Sequence, residues 1–154
     1  MSVTSPFWAA FKASPAAPVD ADARFLEAFH FDDNESSANE LAALVVAGRK
    51  RATASSFWAY ESGAKALPLE GDLSVVTDFA RTPLCVIVTL SVEVVPFDQV
   101  TDEFAAAEGE GDGSLRYWRD AHWRYFKREC KRLGRERDEK MPIVCERFEV
   151  IYRP

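Results

Sequence analysis

The sequence predicts an α+β domain in which a small curled sheet or barrel packs against helices. Three runs, residues 73–79, 84–97 and 141–153, are rich in β-branched residues, as expected of strands. Helical patterns precede and separate these runs, and the connections between them are short. This mixture favours a compact sheet with helices on its surface.

Start residues mark the first helical segments. Ser5 followed by Pro6 predicts a helix start, because proline is favoured at the first helical position. A second helix is expected through ADARFLEAFHF, residues 21–31. Ser37 and Glu40 have the spacing of a capping box, which predicts that the third helix starts there.

The remaining elements follow from composition and turn residues. A strand is expected over residues 53–58, and the run 84–97 is long enough that we expect it to bend or bulge. A short helix is expected near residues 98–107. A long helix over residues 114–133 is closed by Gly134.

Length and composition indicate one soluble globular domain. The chain has 154 residues, 47% hydrophobic and 29% charged, and no apolar run approaches the ~20 residues of a membrane span. We expect residues 1–35 to form a helical extension packed on a domain of residues 36–154. The first residues lack the pattern of a signal peptide, and the three cysteines have no short spacing, which favours reduced thiols and a cytoplasmic location.

Charge is distributed unevenly along the chain. Residues 114–140 contain ten Lys or Arg and five Asp or Glu, a net charge of +5. Because the whole chain has a net charge of −6, the remaining residues have a net charge of −11. A polyanion would be attracted to this one strip and repelled elsewhere. The alternative is a solvated helix face with i,i+4 ion pairs, such as Asp120 with Arg124.

The stretch AGRKRATAS concentrates three cations beside two hydroxyls. Lys50 and Thr53 would point to opposite faces of a continuous strand, so they converge only if the chain turns, for which Gly48 is suited. A lysine acts as a base when its pKa falls, and Arg49 and Arg51 are expected to lower it. The alternative is a basic turn that leads into a strand.

A glycine-punctuated acidic loop, AEGEGDGS, is the second candidate. A carboxylate of this loop, Glu108 or Glu110, can orient a lysine or relay a proton; alternatively the loop only caps the next helix at Ser114. The loop partly matches a calcium-binding loop, but Arg119 stands where the bidentate glutamate belongs, so no metal site is predicted.

His122 lies within the apolar stripe of the long helix. Trp118 and Phe126 flank it at helical spacing, which favours a hydrogen-bonded core histidine over a catalytic one. The only other histidine is His30, and no serine–histidine–aspartate grouping is evident.

Several stretches together resemble the ASCH (activating-signal-cointegrator homology) family. They are ANELAALVVAGRKRATASSFWAYE, GDLSVVTDF, PLCVIVTLSVEVVPFDQVTDEFAAAEGEGDGSLRYWRDAH and MPIVCERFEVIY, which cover residues 38–152 in the family's order. The resemblance implies a PUA-like fold, a small β-barrel of about five to six strands with flanking helices, in a superfold that commonly binds RNA. The family signature G-x-K-x-x-T falls on Gly48, Lys50 and Thr53.

The resemblance implies two activities. One is hydrolysis of the amide of N4-acetylcytidine, in which Lys50 would be the base, Thr53 the nucleophile or water-orienting hydroxyl, and Glu110 the proton relay. Glu108 is the alternative to Glu110, since the loop is longer and richer in glycine here. The other activity is cleavage of single-stranded RNA. No cofactor is expected, and a divalent metal enters only under this ribonuclease alternative.

A non-catalytic RNA-binding module is the third alternative, and the hydrolase is the leading expectation. The expected partner is a modified nucleoside or single-stranded RNA, with neither membrane nor DNA involved. The candidate substrate- or RNA-binding residues are Arg49, Arg51, Ser55, Trp58, Ser114 and Arg116.

Overall fold

The computed structural model of the chain describes residues 5–61, 63 and 65–154. The helices are α1 (Pro6–Lys12), α2 (Ala21–Arg24), α3 (Glu35–Val46), α4 (Phe57–Glu61), α5 (Asp102–Glu108) and α6 (Leu115–Arg132). The strands are β1 (Phe25–Phe29), β2 (Ala52–Ser56), β3 (Leu73–Thr77), β4 (Pro83–Pro96) and β5 (Pro142–Tyr152). The predicted α+β class is confirmed.

The five strands form one open sheet in the order β1-β3-β4-β5-β2. β1 is parallel to β3, and the other neighbours are antiparallel. The sheet has the predicted PUA-like, barrel-like architecture, but it is not closed, because β1 and β2 are its two edges. The irregularity expected in β4 is confirmed by a shift in its pairing with β5 between Thr89 and Ser91.

Helix α1 begins as predicted and covers one part of the sheet. The side chain of Ser5 accepts a hydrogen bond from the Trp8 amide, and Pro6 is the first helical residue. Trp8 and Phe11 are fully buried in a cluster with β3 residues such as Leu73. This packing anchors the first helix on the sheet.

The helix predicted over residues 21–31 is wrong after its first turn. Helix α2 ends at Arg24, and residues 25–29 form β1, which pairs with β3. Backbone pairing with a buried strand outweighs the helix propensity of the leucine, glutamate and alanine in this stretch. The division into residues 1–35 and 36–154 stays a prediction, although β1 belongs to the same sheet as the later strands.

The predicted capping box is also wrong. Helix α3 begins at Glu35 and is capped by Asn34, whose side chain accepts a 2.9 Å hydrogen bond from the Ser37 amide. The Ser37 hydroxyl instead donates to Asp32 at 2.6 Å. Asparagine is as good a cap as serine, so the earlier polar residue begins the helix.

Gly48 turns the chain toward the sheet, as the sequence predicts. Its φ is 78°, and the amides of Arg49 and Lys50 both donate to the Leu44 carbonyl, at 2.9 and 3.1 Å. The turn directs the segment that follows α3 across the end of α5.

Among the described residues, every helix is too short or too polar to span a membrane. The cytoplasmic location stays a prediction.

The end of α5 lies directly against this segment. The Arg51 amide donates to the Ala107 carbonyl at 2.8 Å. Gly109 has a φ of 65°, and a Cβ atom there would lie 2.4 Å from the carbonyl oxygen of Arg49. Glycine therefore permits the contact between the basic segment and the acidic loop.

We expect Gly109→Ala to lower the free energy of unfolding by about 1–3 kcal/mol more than Gly134→Ala does. Both glycines have positive φ, 65° and 71°, but a Cβ at Gly134 meets nothing within 4 Å. The control therefore carries only the left-handed strain, roughly 1–2 kcal/mol, whereas Gly109→Ala adds a backbone clash. Urea unfolding monitored by tryptophan fluorescence measures both; equal losses would contradict the close approach.

Candidate active site

A buried lysine occupies the centre of the candidate site. The Lys50 side chain is 1% exposed, and its Nζ donates to the Ala52 carbonyl at 2.8 Å, to Glu108 Oε1 at 2.8 Å and to Glu110 Oε2 at 2.9 Å. An ammonium group has three N–H donors. All three donors of Lys50 are therefore used within the protein.

The Glu108 carboxylate joins this lysine to α6. Its Oε2 accepts hydrogen bonds from Trp118 Nε1 and from His122 Nε2, the latter at 3.2 Å, and the side chain is 1% exposed. Trp118 and His122 are four residues apart on α6, and their rings stack with centroids 4.2 Å apart. Glu108 thus has every oxygen engaged and faces the protein interior.

The hydrogen bonds of His122 define its protonation. Its Nδ1 lies 2.9 Å from the Trp118 carbonyl, which can only accept, so Nδ1 carries a proton. Its Nε2 faces the Glu108 carboxylate. Burial favours the neutral ring, but the charge of Glu108 outweighs burial and raises the pKa of His122, so the ring is an imidazolium.

The same balance applies to Lys50 and Glu108. Burial favours the neutral amine, yet the carboxylates of Glu108 and Glu110 outweigh it and raise the pKa of Lys50. Burial also opposes ionisation of Glu108, but Lys50 and His122 hold its pKa well below the ordinary value. Both shifts favour the charged forms of Lys50 and Glu108 in the folded protein.

The prediction that neighbouring cations lower the pKa of Lys50 is wrong. Arg49 and Arg51 are exposed, whereas the two carboxylates contact the ammonium directly. Direct contact in a buried site outweighs charges that water screens. In the free protein the Lys50 side chain is a positively charged ammonium group, which is not available as a base.

Glu110 is the accessible carboxylate of the cluster. Its side chain is 16% exposed, compared with 1% for Lys50. Burial and the neighbouring charge of Glu108 outweigh the attraction of Lys50 and raise the pKa of Glu110. A carboxylate with a raised pKa is suited to accept and return a proton.

Lys50, Thr53 and Glu110 all line one cavity of about 370 Å³. Ser55 lines it too, and its hydroxyl lies 2.8 Å from the Tyr60 hydroxyl. Thr53 and Ser55 are separated by two on β2, so they point to the same side of the strand. The cavity brings together four of the nine residues predicted as site residues.

The other five predicted residues do not line this cavity. Trp58 packs under the Arg135 guanidinium, 4.4 Å from the ring centre. Ser114 caps α6, as its side chain accepts a 3.0 Å hydrogen bond from the Tyr117 amide. The remaining three are arginines.

These arginines, Arg49, Arg51 and Arg116, are exposed. Arg49 Nη2 lies 3.4 Å from the Gly111 carbonyl, so it supports the acidic loop. Their roles in binding a substrate stay predictions.

Several lining residues carry no sequence signal. They come from elements that are distant along the chain: Phe29, Phe31, Asp32, Tyr125, Arg128 and Glu146. Glu146 could have been found only from strand register, since it is the direct partner of Thr53 across β2 and β5. Its pKa is raised by burial, and it accepts a 2.7 Å hydrogen bond from Thr89.

Glu108, Glu110 and His122 offer one ligand atom each within 4.8 Å of one another, a spacing that suits a metal ion. The Lys50 ammonium, however, contacts both carboxylates, and both ring nitrogens of His122 are engaged. A metal at this place would have to displace Lys50. The position of a cation in this cluster is taken by the lysine itself.

Comparison with known proteins gives a consistent result. The model of the ASCH domain family matches residues 27–152. The crystal structure of an ASCH domain from Lactobacillus crispatus JV V101 is similar, with 38% identity, a TM-score of 0.82 and coverage of 90% of this chain and 88% of that one. Protein EF3133 from Enterococcus faecalis V583 has 36% identity and a TM-score of 0.75, covering 81% and 76% of the two chains.

A third structure, hypothetical protein PH0355, shares the fold alone. It has 15% identity and a TM-score of 0.50, with 82% of this chain and 98% of that chain covered. No curated protein shows significant similarity to the chain.

We expect the stability advantage of the wild type over His122→Gln to depend on pH. Because the pKa of His122 is raised by folding, the advantage is complete below about pH 6.5, the ordinary histidine value. It is lost as the pH rises through the raised pKa, by up to about 1.4 kcal/mol per pH unit.

Urea unfolding at pH 5.5 to 9 measures this difference. The control is His30→Gln, since His30 makes no ion pair in the part of the chain that the structure describes. A pH-independent difference for His122→Gln would show that the ring is neutral beside Glu108.

Proposed function

Because the chain belongs to the ASCH domain family, which is generally associated with RNA, we propose that it hydrolyses the amide of an acylated cytidine such as N4-acetylcytidine. The observation that carries this proposal is the shared cavity of Lys50, Thr53 and Glu110. A fixed positive charge, a hydroxyl and a carboxylate with a raised pKa are the groups that amide hydrolysis requires.

The cavity suits a small uncharged substrate. Its volume of about 370 Å³ lies at the lower end of the roughly 300–1,000 Å³ typical of small-molecule sites. Five acidic residues line it against four Lys or Arg, so it does not favour a phosphate group. Aromatic rings in its wall offer stacking faces for a base: Phe29, Phe31, Tyr60, Tyr117 and Tyr125.

We assign the roles according to charge. Glu110 is the proton-transfer group: it takes the proton of the attacking hydroxyl or water and returns it to the N4 amine that leaves. The Lys50 ammonium stabilises the negative charge that develops on the acetyl oxygen, since a fixed charge in a partly dry site is effective there. Thr53 either orients the attacking water or is itself the nucleophile; in the second case a water deprotonated by Glu110 then cleaves the acetyl–Thr53 ester and releases acetate. Glu108 holds Lys50 in place.

The ribonuclease is favoured less. Histidine pairs commonly serve as acid and base in metal-free RNA cleavage, but His122 is bonded on both ring nitrogens. The three arginines expected to hold phosphates lie outside the cavity. RNA fragments released without deacetylation would favour the nuclease; binding without either reaction would leave the non-catalytic module.

We expect Glu110→Gln to reduce kcat on N4-acetylcytidine by about 10²–10⁴-fold, because the amide cannot transfer the proton. Release of cytidine, followed by chromatography, measures the effect. Glu136→Gln is the matched control, since Glu136 is exposed and does not line the cavity. Unchanged turnover in Glu110→Gln would contradict the assigned role, and no deacetylation by the wild type would contradict the proposed function.

We expect Thr53→Val to abolish most of the activity and Thr53→Ser to retain a measurable part of it. Valine keeps the shape of threonine but lacks the hydroxyl, and both β-branched residues suit a strand. The pair of variants separates loss of the hydroxyl from loss of packing. Equal activity in both variants would exclude a chemical role for the hydroxyl.

A further inference from the structure

Helix α6 carries a charge opposite to that of the rest of the protein. Its 18 residues include seven Lys or Arg and two acidic residues, so the helix is +5, whereas the remainder is −11. Both acids are within the helix, Asp120 on its exposed face and Glu129 buried. Most of the positive charges of α6 are therefore not balanced by acidic residues of the same helix.

Five of these seven cations have no anionic partner among the described residues. Arg128 and Arg132 pair with Asp32 and Asp33 of the loop between β1 and α3. The other five are exposed and make no ion pair with a described residue: Arg116, Arg119, Arg124, Lys127 and Lys131. The Asp120–Arg124 pair does not form. Surface ion pairs therefore do not account for five of the seven cations on α6.

Three of these five unpaired cations lie on one side of the helix. At 100° per residue, Arg124, Lys127 and Lys131 fall within an arc of roughly 60°, and they extend over ~10.5 Å of the axis. We call these three residues the α6 stripe. Arg116 lies roughly 20° outside this arc, about two turns before Arg124. Arg119 is on the same helix but points roughly 110° away from the centre of the arc.

The stripe continues into the cavity wall. Arg124 lines the cavity itself, together with Tyr117 and Ala121 on the adjoining side of α6. Cations thus lead along the helix toward the opening, while the interior contains the five acidic groups. A ligand that matches both surfaces has an uncharged part in the cavity and anionic groups outside it.

We propose that the α6 stripe binds the phosphate backbone of single-stranded RNA beside the nucleotide whose base enters the cavity. Unpaired Lys and Arg bind phosphates and release counterions. The length of the stripe suits two or three successive phosphates. This inference rests on the proposed function only in placing the base in the cavity, and it makes a cytidine within an RNA strand the preferred substrate over the free nucleoside.

The test measures the binding of a fluorescently labelled single-stranded oligocytidine by anisotropy at 50 to 200 mM KCl. We compare the wild type, Lys127→Ala/Lys131→Ala and Arg119→Ala. Alanine is favoured in helices, so the exposed substitutions should leave α6 folded, as circular dichroism can verify. The probe is unmodified, so the measurement does not require catalysis.

The double variant should lose two phosphate contacts, which reduces the slope of log K against log salt by about 1.4. The affinity of the wild type should then fall about sevenfold more than that of the double variant between 50 and 200 mM KCl. Arg119→Ala should keep the wild-type slope. If Arg119→Ala reduced the slope of log K against log salt by half as much as the double variant does, each cation of α6 would contribute equally wherever it lies. That result would overturn the inference.

Failure of this inference is distinct from failure of the proposed function. An unchanged slope in Lys127→Ala/Lys131→Ala, together with hydrolysis of N4-acetylcytidine by the wild type, would contradict RNA binding by the α6 stripe and support the proposed hydrolase. The predicted slopes without any hydrolysis of N4-acetylcytidine would support RNA binding by the α6 stripe and contradict the proposed hydrolase.

Discussion

The structure depends on a buried ammonium, Lys50, held between two carboxylates. Removing a charge from water costs several kcal/mol, and the interior compensates for it only when every donor finds a partner in good geometry. Glu108, Glu110 and the Ala52 carbonyl supply those partners. The turn at Gly48, the end of α5 and the face of α6 must therefore meet at one point.

This constraint separates the roles of two similar side chains. Glu108 is enclosed and bonded to Lys50, Trp118 and His122, so it stays ionised and holds the cluster together. Glu110 contacts the same lysine from the cavity side and retains access to a substrate. A further separation follows outside the cluster: acidic groups line the cavity, and free cations extend along α6. This separation of charge is the basis of the proposal that a base enters the cavity and phosphates stay outside.

The features that local sequence predicts are those set by residues close together along the chain. Gly48, the strands and the bulge in β4 follow from turn chemistry and β-branched composition. Residues 25–29 were expected to be helical, because their pairing with β3 is a long-range effect. Glu108 and His122 meet only through the packing of α5 on α6, so the sequence could not indicate that His122 is charged or that the pKa of Lys50 is raised rather than lowered.

The charge state of Lys50 is the most direct test. Nuclear magnetic resonance of the side-chain nitrogen and Cε, with specifically labelled lysine and Lys50→Arg for assignment, follows its protonation from pH 6 to 11. The account predicts that the ammonium form of Lys50 persists beyond pH ~10.4, the ordinary lysine value. Loss of the proton below pH 8 would mean that the carboxylates do not govern this lysine, and would restore it as a base.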